Sequence, residues 1–324
     1  MADVGGPAAA REHHPGRGRL DVLQAPPQAL LVDAGRSGWA HLAITRAGAY
    51  DADAYSRANR LVGNHEGAAA VEFVLGPLVL RTLEPCLVAV AGVDAAVAVH
   101  LPGRAARSFG TEESIHLAPG AEVMIEAARR GLRGYVAVRG GIEVDPVLGS
   151  RSRDTLAGLG PPPLRPGDAL VIGDRSGALP VVAHLPRPGP PEASHTGHSL
   201  PLLPAPRSRA ARLLPDTELG ERSWTVSPHS DRVGMRLLGE PLPVRPDPGA
   251  PSEPLVRGAV QVPPDGCPVI MGPDHPTTGG YPVIGVVARP AWGLLAQLRP
   301  GDQVRLVPQR AAPLHPQGRD GRPA

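Results

Sequence analysis

A chain of 324 residues with 33 basic and 31 acidic side chains, 42% hydrophobic but only 3% aromatic, has room for one large domain or two modest ones and is too nearly neutral to favour nucleic acid. None of the basic residues is lysine, which excludes a Walker-type phosphate loop, a pyridoxal Schiff base, a Ser-Ser-Lys amidase and covalently attached biotin. The longest apolar stretch, Leu87–Val99, is too short for a membrane span and carries Asp94, and the N-terminus lacks a signal-type apolar core; with two cysteines, Cys86 and Cys267, read as buried reduced thiols, the expected compartment is the cytoplasm.

Gly (40) and Pro (41) punctuate many short Val/Ile/Leu/Ala runs, the pattern of short strands joined by turns. Residues 1–19 are rich in Pro, Gly and Arg and are expected to be a disordered tail, as are residues 311–324. Residues 20–178 read as a first β-barrel domain, with strands at Ala29–Asp33, Leu87–Ala91, Ala95–Leu101, Glu122–Glu126, Tyr135–Arg139 and Ala169–Ile172. One helix is predicted over Asp51–Gly63: Ala54, Ala58, Leu61 and Val62 share a stripe, Asp51 caps the start and Gly63-Asn64 ends it. Tyr135–Arg139, followed by Gly140-Gly141 and Ile142, carries a hairpin signature. Pro186–Arg207 holds seven prolines and reads as a linker inside a boundary region of 179–212. Residues 213–310 form a second β-barrel domain, with strands at Trp224–Val226, Ala259–Val262, Val269–Met271, Val283–Val287 and Gln303–Val307 and a short helix over Pro290–Leu298. The sequence LRPGD occurs twice before an apolar strand, at Leu164–Asp168 and Leu298–Asp302, an echo compatible with two related halves. Short strands, few helices and regular turns favour a mainly β fold of two barrels over a βαβ sheet.

Residues 272–287, GPDHPTTGGYPVIGVV, place unusual chemistry between two apolar strands. Gly279 and Gly280 can take positive φ and bare consecutive N–H groups through Tyr281, with the hydroxyls of Thr277 and Thr278 as further donors. Such a nest suits a carboxylate, a phosphate or the oxyanion of an attacked amide, and Asp274 would orient a nucleophile or accept a proton. The plainer alternative is a hairpin tip with incidental polar residues. Gln261 faces either solvent or a cavity. Ser230, Asp231, Arg232 and Arg236 form a polar cluster; if the segment is helical, the two guanidinium groups share a face and grip an anion, whereas a surface ion pair contributes only about 0–1 kcal/mol. Asp33 and Arg36 make a corresponding pair in the first half, and Asn59 is a helix-to-barrel contact. His229 and His275 flank these motifs as substrate contacts. His195 and His198 have metal-like spacing but no third ligand, so no metal is expected.

The segments HSDRVGMRLLGEPL (229–242), SEPLVRGAVQVPPDGCPVIMGPDHPTTGGYP (252–282), AQLRPGDQVRL (296–306), VDAGRSG (32–38), YDADAYSRANRLVGN (50–64) and VLGSRSRDTLAGLG (147–160) together resemble the carboxyltransferase A/B family. The resemblance implies cyclophilin-like β-barrels, a smaller partner subunit and chemistry on a small amide. Its implied activity is that of the C-type subunit of an ATP-dependent 5-oxoprolinase opening the lactam to glutamate, with a lactam-utilisation protein as a further partner and ATP on this chain or a partner subunit. Two alternatives stand beside it. One is a urea carboxyltransferase (allophanate hydrolase subunit 2), supplied with carboxybiotin by a separate carrier; the other is a non-catalytic antagonist of a histidine-kinase inhibitor. On the first reading Arg232 and Arg236 hold the substrate carboxylate, Thr277–Tyr281 stabilise the lactam oxygen, and Asp274 with Gln261 orients the attacking group.

Overall fold

The computed structural model describes residues 18–180, 182–186, 197–204, 216–243 and 251–309. The expected tails lie outside these apart from Gly18 and Arg19, and Arg19 already opens the first strand. The first half contains β1 (Arg19–Gln24), β2 (Leu30–Val32), α1 (Ala52–Leu61), β3 (Ala70–Val74), β4 (Leu78–Thr82), β5 (Cys86–Ala91), β6 (Val97–His100), β7 (Arg107–Phe109), β8 (Ser114–Leu117), β9 (Glu122–Ile125), β10 (Arg133–Val138), β11 (Ile142–Glu143) and β12 (Ala169–Ile172). They form a seven-stranded sheet, β11-β12-β1-β4-β9-β6-β7, and a five-stranded sheet, β2-β3-β10-β5-β8.

Alternation builds the core between the two sheets. Leu20, Val22, Leu78, Leu80, Val123 and Ile125 point inward from one sheet and Val71, Phe73, Val88, Val90, Val136 and Val138 from the other. The smaller sheet is buried on its outer face as well, because α1 lays Ala54, Tyr55, Ala58 and Leu61 across Ala70, Ala89, Ala91, Tyr135 and Ala137. Strand β10 is therefore buried along its whole length, and its sequence shows no polar alternation. The Asp51 carboxylate accepts the Ala54 N–H at 3.0 Å and caps the helix. The Gly140-Gly141 turn makes no hairpin: β10 belongs to the five-stranded sheet and β11 pairs with β12 in the other, so the turn carries the chain between sheets.

The second half contains β13 (His198–Leu203), α2 (Asp216–Glu221), β14 (Trp224–Val226), β15 (Gly234–Leu238), β16 (Glu253–Pro254), β17 (Ala259–Gln261), β18 (Val269–Met271), β19 (Thr278–Gly279), β20 (Val283–Val287), α3 (Trp292–Gln297) and β21 (Gln303–Pro308). Seven of these strands close a barrel in the order β13-β20-β17-β18-β15-β14-β21, and β16-β19 form a separate ribbon. The fold is mainly β with a few short helices. No helix among the described residues is long and apolar enough to cross a membrane.

Three expectations need correction here. The linker region includes a barrel strand: β13 runs parallel to β21, with Leu200 and Leu202 buried in the core. Pro201 stands opposite Ala288, just past the end of β20; its carbonyl accepts the Ala288 N–H at 2.9 Å, and its missing N–H costs only the return bond at the end of that ladder. The stretch 272–287 is not a hairpin either, because β17 lies between β18 and β20 and pairs with both. The segment from Ser230 to Arg236 is not helical; a turn leads into strand β15, which separates Arg232 from Arg236.

The two LRPGD turns have one geometry. Asp168 accepts the Arg165 N–H at 2.8 Å and Asp302 accepts the Arg299 N–H at 2.7 Å. Gly167 and Gly301 both have φ +95°, and each N–H bonds back to Val22 or Val226 of the neighbouring strand. Each turn leads into a strand of its own half, β12 in the open seven-stranded sheet and β21 in the closed barrel.

Candidate functional site

Where the halves meet, polar contacts lock them. Gln297 Oε1 accepts the N–H groups of Leu132 and Arg133 (2.8 and 3.0 Å), and its Nε2 donates to the Asp51 carboxylate at 2.8 Å. Arg299 donates to the carbonyls of Ala128 and Gly131, both at 2.7 Å. At the centre Arg232 is buried. Its Nε and Nη2 bind the two oxygens of Asp274 at 2.9 and 3.0 Å, Nη1 reaches Glu72 at 2.5 Å, and Nη2 also donates to the Gly48 carbonyl. Glu72 in turn accepts the Tyr135 hydroxyl and the Tyr50 N–H, and Asp274 accepts the N–H and hydroxyl of Thr155. Burial alone would favour a neutral guanidine, but the two carboxylates outweigh it and raise the pKa of Arg232. Every polar edge of this cluster is spoken for, so Asp274 and Arg232 are the staple of the interface.

The staple fixes the loop that follows. Gly272 donates to the Val233 carbonyl and Asp274 to the Arg232 carbonyl. A Cβ at Gly272 would sit 2.2 Å from the Arg232 carbonyl oxygen, so the approach requires glycine. Next along the chain His275 is buried, and its Nδ1 lies 2.7 Å from the Pro276 carbonyl. A carbonyl only accepts, so Nδ1 carries the proton and Nε2 keeps its lone pair. Burial lowers the pKa of His275, and the nearby Arg257 cation adds to the effect. His275 is therefore neutral at pH 7 and equipped as a proton acceptor.

His275 lines a cleft of about 720 Å³ between the halves. The first half supplies Asp51, Asp53 and Tyr55 from the start of α1, together with Arg46; the second supplies Arg257, Pro273, Arg289 and Trp292. Arg257 is the unusual member. Its guanidinium sits 5.3 Å from the Tyr50 ring centroid and 4.5 Å from that of Trp292, and it donates to the Tyr50 carbonyl. Gly258, at φ +84°, lets the chain turn there: a Cβ would come 2.9 Å from the Val287 carbonyl and 3.0 Å from Trp292 Nε1. Gly258→Ala is accordingly expected to cost about 1–3 kcal/mol in backbone strain and to displace Trp292. Thermal unfolding and tryptophan emission read this out, and wild-type values for both would refute it.

The structure brings together only part of the set expected from sequence. Asp274 and Arg232 pair as described, and Asp33 lines the cleft. Its carboxylate is occupied by the hydroxyls of Ser150 and Ser152 and by the N–H groups of Arg151 and Gly35. Arg36 is buried against the Ser152 carbonyl and Asp154 and makes no pair with Asp33. Arg236 is exposed on β15, and Asp231 and Ser230 serve the turn before it by accepting N–H groups of Val233, Gly234 and Arg236. The expected nest is absent, since Gly279 and Gly280 do not have positive φ and Gly279 pairs with Glu253 in the β16-β19 ribbon. Thr277, Thr278 and Tyr281 lie outside the cleft, Tyr281 being exposed. Gln261 is buried beneath Gly279 and donates to the Tyr281 carbonyl at 3.2 Å. His198 is on β13, His229 is exposed, and His195 lies outside the described residues. Cys86 and Cys267 are free and half-buried. Sequence reading misses Arg257, Tyr50 and Trp292. The one signal for them is scarcity: in a chain with four tyrosines and three tryptophans, two of them flank one arginine.

Residues 42–308 match the family model described as the carboxyltransferase domain, subdomains A and B. The chain is 32% identical over 295 residues to the C-type subunit of 5-oxoprolinase from Escherichia coli, covering 89% of this chain and 90% of that protein. It is 31% identical over 297 residues to the urea amidolyase of Lachancea kluyveri, covering 85% of this chain but only 16% of that protein. Among solved structures, that of TTHA0988 superposes with a TM-score of 0.78 at 34% identity, covering 90% of this chain and 56% of that one.

Proposed function

The chain belongs to the carboxyltransferase family of subdomains A and B, and from that premise we propose that it is the C-type component of an ATP-dependent complex that opens the lactam of 5-oxoproline to glutamate. What supports this reading over the urea reaction is extent. The chain aligns with the E. coli protein over nine-tenths of both sequences, whereas it corresponds to a small part of urea amidolyase.

The cleft between the halves is the site we assign to the lactam. His275 Nε2 takes the proton of the water that attacks the lactam carbonyl; the C–N bond then breaks and the released amine gains a proton. Asp274 and Arg232 act through the loop, by holding His275 against the cleft. A chain without lysine has no Walker-type loop, so ATP is held either by arginines and backbone N–H groups of this chain or by a partner subunit. The test is to combine the purified chain with a candidate smaller subunit and to measure glutamate released from 5-oxoproline with and without ATP. Release that needs both ATP and this chain is expected. A complex that consumes no ATP with 5-oxoproline, but does so with urea and a biotin carrier, would replace this assignment with the carboxyltransferase one.

A further inference from the structure

Asp33, Asp51, Asp53 and Glu66 line the cleft along with its arginines, yet Arg257 pairs with none of them. Arg257 makes no ion pair with a described residue; Nη2 donates to the Tyr50 carbonyl, Nε is closed off from solvent without a partner, and Nη1 is engaged by no described residue. Arg289 also lines the cleft but is exposed, so water screens its charge. A half-buried guanidinium short of acceptors costs free energy that an anion in the cleft would recover. With the Tyr50 and Trp292 rings beside it, the guanidinium is held in place, and its planar edge suits a carboxylate. Arg232, the arginine expected from sequence to do this, is saturated by Asp274 and Glu72.

We propose that Arg257 binds the carboxylate of the substrate, so that the cleft selects a small amide carrying a carboxylate over a neutral one. The proposal rests on the lactam reading for the identity of the amide but is tested by binding, without turnover. Titrate the full chain calorimetrically with 5-oxoproline and with 2-pyrrolidone, the same lactam without its carboxylate. Wild-type protein is expected to bind 5-oxoproline at least tenfold more tightly. Arg257→Lys, which keeps the charge but loses the planar fork, is expected to weaken 5-oxoproline at least tenfold and leave 2-pyrrolidone unchanged. Equal wild-type affinity for the two lactams would overturn the proposal, as would a substitution that weakens both equally. If Arg257→Lys does not fold, Arg257→Gln, which keeps donors but not the charge, takes its place with the same expectation, and unchanged preference for 5-oxoproline in either folded variant overturns the proposal. Carboxylate-selective binding by a complex that releases no glutamate would uphold this inference while ending the lactam-opening reading.

Discussion

Replacing Arg232 with alanine is expected to lower the melting temperature by on the order of 10 °C. The guanidinium is buried between Glu72 from the first half and Asp274 from the second, so its removal strands two carboxylates away from water. Breaking a buried pair by deleting one partner costs about 3–5 kcal/mol, and each kcal/mol shifts the midpoint by roughly 2–4 °C in a domain of 150–250 residues. Arg232→Lys is expected to lose much of the same stability, because an ammonium cannot span both oxygens of Asp274 while reaching Glu72 and the Gly48 carbonyl. Neutralising all three positions together, as Arg232→Met, Glu72→Gln and Asp274→Asn, is expected to recover part of the loss, since no charge is left stranded. Thermal unfolding of these variants decides it: a wild-type midpoint for Arg232→Ala would mean that the cluster does not hold the halves together.

The same cluster shows what is legible in the sequence. Helix α1 is readable because its apolar stripe and Asp51 cap are local, and the barrel strands are readable as apolar runs between turns. Arg232 and Asp274 stand out as polar residues in apolar surroundings, but their partnership spans 42 positions and the contact with Glu72 spans 160. Pairing at that distance is set by register, which composition does not fix. Gly279-Gly280 misleads for the same reason: two glycines suit a hairpin tip, but β17 occupies the place between β18 and β20 and turns the stretch into a crossover. The proline count hides β13, whose single proline within the strand falls at the end of the ladder with β20 and costs one bond there. Arg257 carries no local mark at all. Its meaning comes from Tyr50 and Trp292, which the fold brings from opposite ends of the chain.

His275→Ala is expected to lower kcat/KM by about 10²–10⁴-fold, the usual contribution of a positioned proton acceptor, while costing far less stability than Arg232→Ala. The pH profile separates this role from a packing role. Burial lowers the His275 pKa below the ordinary imidazole value of 6.5, so the lone pair on Nε2 persists at neutral pH and is lost only in acid. The wild-type kcat/KM is therefore expected to hold level from about pH 8 to 6.5 and to fall below that value, and the fall should vanish from the residual rate of His275→Ala. Stability has the same sign: the unfolded chain takes up its proton at about 6.5, before the folded one does, so the folded state loses ground as pH drops through that window. Asp274→Asn supplies the contrast. It leaves the imidazole in place but loosens the loop that carries it, and should reduce melting temperature and turnover together while keeping the acid limb. An acid limb that survives in His275→Ala would remove the histidine from the reaction and leave the cleft as a binding site alone.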